Sequence, residues 1–485
     1  MMTCIKATTR KASLLVDFAS DYERPDRLYS QGSNPNFMQV IARYLNEQVG
    51  ELESLYVFAF LWNNQCYHEL MNELGKRTRV VVLTIPTIGY KTGNPSSSKL
   101  YDFLTNMETE SPNTKEKAAT RIYGCKKDYE LRVVPHMSFL KPTSLEGVSK
   151  TSDPSRFFSM HGKFFAGFRK DGTAFVVIPS CNTDVLSEVQ TNTMFAVSDL
   201  EGTEVDRLRE AMSGFVDNLS VKNEDFTRVE DWEDKADEFS RLVVPNFKPG
   251  SINFTSPILK DSHNDLYRIL ALTSAASKEF LVASAQHLMN YEWQWRDGGS
   301  KKWFSDKAVN GVKVLLFSQT YLKGFNFLEN HGKYFNDEAF AWSNSGRIRA
   351  VANEQQLVEL IDEAIDSGAA NSGNFAYCCN SDWHGRFLVN ERTFVSYTHN
   401  LALGGLYQGK HYFENKNGEL KRQKPEERTV KTVKSSLFGE IGFYFVLEDG
   451  AFCKQVHDVL IPKMLADRQT VCACGSIAAQ NSIVR

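Results

Sequence analysis

Two short motifs have the composition of a phosphate-binding site. The first is His161-Gly162-Lys163, which is followed by an apolar run, the Arg-Lys-Asp-Gly turn at 169–172 and a second apolar run. An Asp-Gly pair between two such runs predicts a β-hairpin. We expect His161 and Lys163 to lie on a strand, where residues two apart point the same way. The hairpin then returns Asn182 to the same end, which brings together an imidazole, an ammonium and a carboxamide, a set that suits a phosphate.

The second motif repeats this design later in the chain. His384-Gly385-Arg386 leads into an apolar run, a turn and the strand TFVSYT, and Asn400 closes the predicted hairpin. A polar insertion follows, and then Glu440 opens another apolar strand before a helix. The first half has a matching end, with Gln190, the strand MFAVSD and a helix. A motif that recurs with the elements around it indicates an internal duplication.

The elements that must position these motifs follow an α/β pattern. Residues 55–60 and 79–85 are continuous apolar runs with a helical pattern between them at 66–76, and similar runs recur at 279–283 and 312–317. Strand, helix and strand in this order predict a parallel sheet with helices against it. The paired runs are separated by nearly the same number of residues as the two motifs. We therefore predict an α/β protein of two similar domains, each a mixed sheet with helices on both faces, and a site at their pseudo-twofold interface.

A proline-rich stretch divides the two halves. Residues 245–257 contain three prolines and little periodicity, which favours a linker. The predicted domains are 1–245 and 258–470, with a linker at 246–257 and a tail at 471–485.

Composition excludes several classes of protein. The 485 residues are 42% hydrophobic and 24% charged, so the chain can bury two cores and is not disordered as a whole. No apolar run approaches the length of a membrane-spanning helix, and we expect no stable membrane insertion. The net charge of -3 means that an anion site must be local. Nine cysteines without zinc-site spacing favour a reducing compartment, so we predict a cytoplasmic protein, or a nuclear one if the source is a eukaryote.

With two His-x-Lys/Arg motifs, each followed by Asn, the chain resembles the phospholipase D superfamily. The usual longer motif ends in Asp, whereas Phe168 and Glu391 stand at those positions here. The variant that lacks the Asp is most similar to the tyrosyl-DNA phosphodiesterase-like branch. The resemblance implies one half-site of His161, Lys163, Asn182 and Gln190, and another of His384, Arg386, Asn400 and Glu440. It covers roughly residues 50–465, and its specific part is the two hairpins.

This resemblance implies a two-step displacement at phosphorus. His161 would attack and form a phosphohistidine, and His384 would protonate the leaving oxygen and then activate water. Lys163 and Arg386 would neutralise phosphate oxygens, so that no metal or other cofactor is needed. Gln190 and Glu440 would hold the tautomer of a histidine. Arg386 departs from the family's lysine, which leaves a degenerate half-site that binds without efficient turnover as an alternative.

A third motif competes for the second half-site. His331-Gly332-Lys333, with Asn344 after it, matches the literal pattern better than His384-Gly385-Arg386. It lies too close to the predicted strand at 279–283, however, so the repeat favours His384.

Other residues have plainer interpretations. The segment 410–434 has twice as many basic as acidic residues, and it is either a solvated loop or a guide for a polyanion. The predicted substrate contacts are Lys410, Lys421, Arg422 and Lys424. An aromatic cluster at 291–304 could stack bases or meet lipid, but packing is the commoner reason. His399 is interpreted as structural, and no base adjoins Cys181 to make it a nucleophile.

Three functions therefore compete. A phosphodiesterase acting on nucleic acid, with single-stranded DNA or DNA ends favoured, agrees best with the variant motif and the basic segment. A phospholipase or phosphatidyl-transfer enzyme is the alternative within the same chemistry. A non-catalytic nucleic-acid-binding or scaffold protein is the third, with Arg386 and Phe168 as its support.

Overall fold

The structure is a computed structural model of the chain. It describes residues 3–18, 37–48, 52–60, 62, 65–84, 127–134, 156–183, 191–222, 250, 252–255, 265–285, 304–318, 366–380, 383–399, 409–416, 419–422, 434–467 and 470–474.

These residues form an α/β protein in which strands dominate. The strands in chain order are β1 (Thr3–Lys6), β2 (Ala12–Asp17), β3 (Leu52–Ala59), β4 (Arg79–Thr84), β5 (Glu130–Val133), β6 (Arg156–Met160), β7 (Phe164–Arg169), β8 (Ala174–Pro179), β9 (Asn192–Leu200), β10 (Val221–Lys222), β11 (Ile252–Thr255), β12 (Phe280–Ala285), β13 (Lys313–Ser318), β14 (Phe375–Asn380), β15 (Phe387–Asn390), β16 (Thr393–Tyr397), β17 (Gly409–Lys416), β18 (Glu419–Arg422), β19 (Lys434–Glu448) and β20 (Thr470–Cys474). The helices are α1 (Phe37–Gln48), α2 (Gln65–Gly75), α3 (Thr203–Leu219), α4 (Asp265–Ala276), α5 (Ser305–Val309), a 3-10 turn (Ala369–Asn371), α6 (Gly450–Gln455), a π-helical turn (Val456–Leu460) and α7 (Ile461–Ala466).

The strands build two mixed sheets with the same internal order. The first sheet contains the path β9-β8-β7-β3-β4-β5-β10, and the second contains β19-β16-β15-β12-β13-β14-β20. In each path the three consecutive strands that follow the hairpin are parallel, and the hairpin strands are antiparallel. The predicted duplication and α/β fold are therefore confirmed.

Helices cover both faces of the sheets and separate three apolar cores. One core lies between the first sheet and α1 with α2, and another lies between the second sheet and α4 with α5. The third is shared by both sheets and contains α3 together with residues 452–464. At its centre Phe443 stacks on Phe164 with ring centroids 4.3 Å apart. Because this core is common to the two halves, burial of apolar surface fixes their relative position.

The hairpins and their parallel partners lie where the sequence predicts them, but three details differ. The His161-Gly162-Lys163 motif is not on a strand: it links β6 of the second sheet to β7 of the first. Strand β11 lies inside the stretch predicted as a linker and pairs with β19. Cys378 is disulfide-bonded and lies opposite Cys472 in the β14–β20 register, whereas the cysteine pattern favoured reduced thiols. The domain boundaries themselves stay a prediction.

The two halves exchange backbone contacts on either side of the motifs. Strand β6, from the first half, pairs in parallel with β19 of the second sheet. Thr191 makes the corresponding parallel bridge to Trp383 in the opposite direction. Each His-x-Lys/Arg motif therefore begins directly after a segment that pairs with the other half.

Candidate active site

His161 is held by the second half of the chain. Its backbone N–H donates to the carbonyl of Ile441, 3.1 Å away, directly after the paired strands β6 and β19. The side chain is 8% exposed, so the ring lies in the shared interior. Phe60, at the end of β3, contacts the ring with centroids 4.8 Å apart. The backbone bond fixes the position of the residue, and the aromatic contact packs against its ring.

The partners of the His161 ring define its tautomer. Nδ1 lies 3.2 Å from the carbonyl oxygen of Thr398, which can only accept a hydrogen bond. The Lys163 ammonium, which can only donate, lies 3.3 Å from Nε2 and 3.5 Å from Nδ1, so the Thr398 carbonyl decides between the two nitrogens. It also donates to the backbone carbonyl of His161 at 3.1 Å. The neutral ring therefore carries its proton on Nδ1 and leaves the lone pair on Nε2, beside a cation.

The surroundings also keep His161 neutral. Burial is the main cause that lowers its pKa well below the usual value of 6.5. Positive charges on Lys163, Arg386, His399 and His384 act in the same direction. At neutral pH the ring is thus a base or nucleophile rather than an acid.

His384 occupies the equivalent position in the other half-site. Its backbone N–H donates to the Thr191 carbonyl at 2.9 Å, and the residue is 1% exposed. Nδ1 lies 3.3 Å from Oδ1 of Asn192, at the start of β9. The Ser180 hydroxyl accepts from the Thr193 N–H and donates to the same Oδ1. Arg386, which can only donate, lies 3.4 Å from Nε2. His384 is therefore also protonated on Nδ1 when neutral.

Arg386 links the two half-sites. One guanidinium nitrogen donates to the Ser180 carbonyl at 2.7 Å, and the other lies 3.4 Å from Nε2 of His384. The residue is 2% exposed. The planar guanidinium of arginine can direct two N–H groups at two acceptors at once, whereas the ammonium of lysine is a single point of charge. Arg386 thus combines a bond across the interface with the cationic position that Lys163 fills in the first half.

Glycine is required at the middle of both motifs. A Cβ on Gly162 would lie 2.5 Å from Cε2 of Phe443. A Cβ on Gly385 would lie 2.5 Å from Cζ2 of Trp383 and 2.8 Å from Cγ2 of Thr193. In each case the obstacle is a buried side chain, so the close approach of the two halves leaves no room for a side chain here.

The structure brings together His161, Lys163, His384 and Arg386, as the sequence analysis predicts. Asn182 is partly buried two residues beyond Ser180, at the end of the hairpin that leads to the site. Glu440 lies in β19 opposite Ser159, one residue before Ile441. Their roles in the site stay predictions.

The remaining predicted residues are described only by their strands or lie outside the described residues. Lys410 is in β17, and Lys421 and Arg422 are in β18. The predicted residues outside the described ranges are Gln190, Asn400, Lys424 and His331.

Three residues of the site were missed by sequence reasoning. Asn192 supplies the acceptor for His384, a role that the resemblance assigned to Gln190 or Glu440. Ser180 and Thr398 end the two hairpins, and their carbonyls accept from Arg386 and His161. The signal for Asn192 was a polar residue at the head of the apolar strand MFAVSD. A backbone carbonyl has no sequence signal.

This arrangement presents two imidazole Nε2 atoms, each beside a lysine or arginine side chain, inside a buried site. Such a site can stabilise an anion and offer it a nucleophile and a proton donor. Among the described residues, no three His, Cys, Asp or Glu side chains come together as a metal site. No helix in the described ranges is both long and apolar enough to cross a membrane.

Comparison with known proteins identifies the fold. The sequence matches no protein-family model, and no curated protein matches it. Phosphatidylserine synthase from Haemophilus influenzae Rd KW20 is similar in structure, with 11% identity, a TM-score of 0.50, and coverage of 89% of this chain and 85% of that one. Polyphosphate kinase from Porphyromonas gingivalis has 9% identity, a TM-score of 0.42, and coverage of 98% and 52%. Yeast tyrosyl-DNA phosphodiesterase has 9% identity, a TM-score of 0.36, and coverage of 82% and 83%.

Proposed function

We propose that the protein is a phosphodiester-cleaving enzyme that works through a phosphohistidine on His161. The chain has a phospholipase D-type fold, and at this identity the likeness is one of fold alone. The observation that carries this proposal is the pair of opposed half-sites. In each, an acceptor fixes the imidazole proton on Nδ1 and a basic side chain faces Nε2. A purely structural histidine has no need of a buried cation at its second nitrogen.

The proposed reaction begins with the Nε2 lone pair of neutral His161. It forms an N–P bond as the bond from phosphorus to the leaving oxygen breaks, and protonated His384 gives its Nε2 proton to that oxygen. His384, now neutral, takes a proton from water as the water oxygen attacks phosphorus. The N–P bond breaks, and both histidines return to their starting forms. Lys163 and Arg386 stabilise the charge on the phosphate oxygens throughout.

The substrate class proposed for this site is nucleic acid. The support is the basic segment 410–434 and its place in the sheet. Strand β17 pairs with β18 and with the first part of β19, and β19 also pairs with β6, which leads directly to His161. Basic residues of the β17–β18 hairpin are thus joined through one strand to the motif, an arrangement suited to a backbone with several phosphates.

The test is hydrolysis of bis-p-nitrophenyl phosphate and of 3′-labelled single-stranded DNA with EDTA present. We expect the wild type to cleave both, and His161→Ala and His384→Ala to lose about 100-fold or more in rate. An alkaline quench followed by peptide mass spectrometry should find His161 carrying the phosphoryl group with its remaining ester substituent, and no such adduct in His161→Ala.

Matched controls separate chemistry from folding. His68 and His457 are also largely buried, but they contact Tyr129 and Asp458 instead of the site. His68→Ala and His457→Ala should keep the activity of the wild type wherever they fold.

Loss of cleavage in His331→Ala but not in His384→Ala would assign the second half-site to the motif at 331–333. Cleavage of phosphatidyl substrates and not of DNA would reassign the substrate class, and no turnover of any of these by folded protein would reject the enzyme proposal.

A further inference from the structure

The hydrogen bonds around the two hairpin ends are equivalent, pair by pair. Ser180 donates its backbone N–H to the Thr193 carbonyl, and Thr398 donates to the Phe443 carbonyl. In return, the Thr193 N–H donates to the Ser180 hydroxyl at 2.9 Å and the Phe443 N–H donates to the Thr398 hydroxyl at 3.0 Å. This pattern makes Thr398 the counterpart of Ser180 and Phe443 the counterpart of Thr193.

The same pattern exposes a difference between the halves. Asn192 lies one residue before Thr193, and its counterpart before Phe443 is Gly442, which has no side chain to orient a histidine. After the hairpins, His399 is the counterpart of Cys181. A Cβ on Gly442 would lie 2.3 Å from Cε1 and 2.5 Å from Nε2 of His399. The ring of His399 therefore fills the space into which a side chain at 442 would extend.

His399 is fully buried, and it is joined directly to the group that orients His161. Its exposure is 0%, and the peptide unit between Thr398 and His399 carries the carbonyl to which Nδ1 of His161 bonds. Because the His399 ring packs against Gly442, it restricts rotation of that peptide unit. It therefore restricts the direction of the carbonyl and, through it, of the His161 ring.

We propose that His399 is a positioning residue for His161, and that with Gly442 it replaces in this half-site the side chain that Asn192 supplies in the other. The inference rests on the proposed function, since it assigns a role within the same site. It predicts that the orientation of His161 depends on a buried ring beside a glycine, whereas the orientation of His384 depends on an amide.

A charge on His399 also reaches His161. Among the described residues, the other charged groups that act on His161 are Lys163 from its own segment and Arg386 and His384 from the other half-site. Positive charge on His399 lowers the pKa of His161 together with theirs. Removal of His399 should thus move the acidic limb of the rate profile to higher pH.

The experiment introduces an amide side chain, like that of Asn192, into the half-site of His161 in the full-length chain. His399→Ala removes the ring that fills the space beside Gly442, and His399→Ala with Gly442→Asn places an amide in that space. Cys181→Ala is the matched control at the equivalent position of the other hairpin. For each variant we would measure the melting temperature, kcat and KM on bis-p-nitrophenyl phosphate, and the pH profile of kcat.

We expect His399→Ala to lower kcat by about 100-fold with KM nearly unchanged, because a small misorientation of the nucleophile has this effect. The added Gly442→Asn should restore most of the lost kcat, and Cys181→Ala should have little effect. Unchanged kcat in His399→Ala, or a loss of kcat that Gly442→Asn does not reduce, would overturn the proposal.

A separate measurement distinguishes failure of this inference from failure of the proposed function. Histidine-selective nuclear magnetic resonance reports the tautomer and pKa of His161 without any turnover. If the wild type cleaves no substrate, the proposed function fails, yet a His161 ring that loses its Nδ1–H tautomer in His399→Ala still supports the positioning role. A His161 tautomer and pKa that are the same in both proteins would reject it.

Discussion

The imidazole of His384 and the carboxamide of Asn192 come from opposite halves of the chain and meet with Nδ1 and Oδ1 3.3 Å apart. Ser180 fixes the amide oxygen through its hydroxyl, which itself accepts from the Thr193 N–H. In the proposed mechanism, a histidine held this way would keep its Nε2 in one direction through both proton transfers. The following outcomes depend on that relationship and on the contacts around it.

Asn192→Ala should lower kcat by about 100-fold, since His384 loses the acceptor that orients it. Asn192→Asp should keep the orientation and raise the pKa of His384, because a carboxylate favours the protonated ring. The basic limb of the pH profile of kcat would then move to higher pH. Asn310→Ala, at an exposed helix end, is the control. Equal kcat in Asn192→Ala and the wild type would show that Asn192 does not position the acid.

Arg386→Lys should destabilise the fold by about 1–3 kcal/mol, because the buried Ser180 carbonyl loses a charged donor. Arg386→Met should cost more in kcat/KM than Arg386→Lys, since it also removes the charge. Urea unfolding and steady-state kinetics give the two quantities. If Arg386→Lys unfolds at the same urea concentration as the wild type, the bond across the interface contributes nothing to stability.

The pH dependence of kcat/KM should reflect the depressed pKa of His161. The proposed nucleophile is active when neutral, so activity should be lost as the pH falls through its pKa. That pKa lies well below 6.5, mainly through burial. The acidic limb should accordingly lie below pH 6.5, and activity should be retained at pH 6.5. A limb centred at or above that value would contradict the burial of a neutral ring.

Gly162→Ala and Gly385→Ala should each destabilise the protein by about 1–3 kcal/mol, because the added Cβ would lie 2.5 Å from a buried ring. The control is Gly172→Asn in the first hairpin, where φ is +86° and nothing lies within 4 Å. Asparagine tolerates that conformation, so its effect should be small. Thermal unfolding of the three variants measures the difference. Two motif variants as stable as the control would mean that the halves approach less closely than the structure has them.

Asp449 should make the fold sensitive to acid. Its carboxylate caps α6 by accepting from Phe452 and also accepts from Thr8 and Thr9, next to β1. These bonds lower its pKa from 3.8 to about 2, although burial alone would raise it. The stabilisation is complete above the unfolded value of 3.8 and is lost as the pH falls toward 2.

Asp449→Ala should therefore lower the free energy of unfolding by about 2 kcal/mol at pH 7, the usual contribution of bonds to a charged group. The difference from the wild type should shrink below pH 3. Urea unfolding at several pH values measures it, with Asp306→Ala as the control. A difference that stays the same at every pH would assign the effect to packing and not to the charge.

The sequence predicted the parts of this site that follow from local pattern. The two hairpins and their parallel neighbours are visible in the alternation of apolar residues, and the repeat led to His384. The bond from His384 to Asn192 joins residues 192 apart in the chain. No local pattern selects Asn192 over Gln190, because the choice depends on how one half packs against the other. His399 was interpreted as structural for the same reason: its significance comes from the missing side chain of Gly442, on a different strand.

Because a single chain supplies both half-sites, a substitution changes one of them and leaves the other intact. In an assembly of two identical subunits, every change would appear twice and the two histidines would stay equivalent. Here the cation is lysine on one side and arginine on the other, and the orienting group is an amide on one side and a glycine beside a buried ring on the other. Because both copies lie in one chain, they need not stay symmetric, and in the proposed mechanism one histidine attacks while its counterpart transfers the proton.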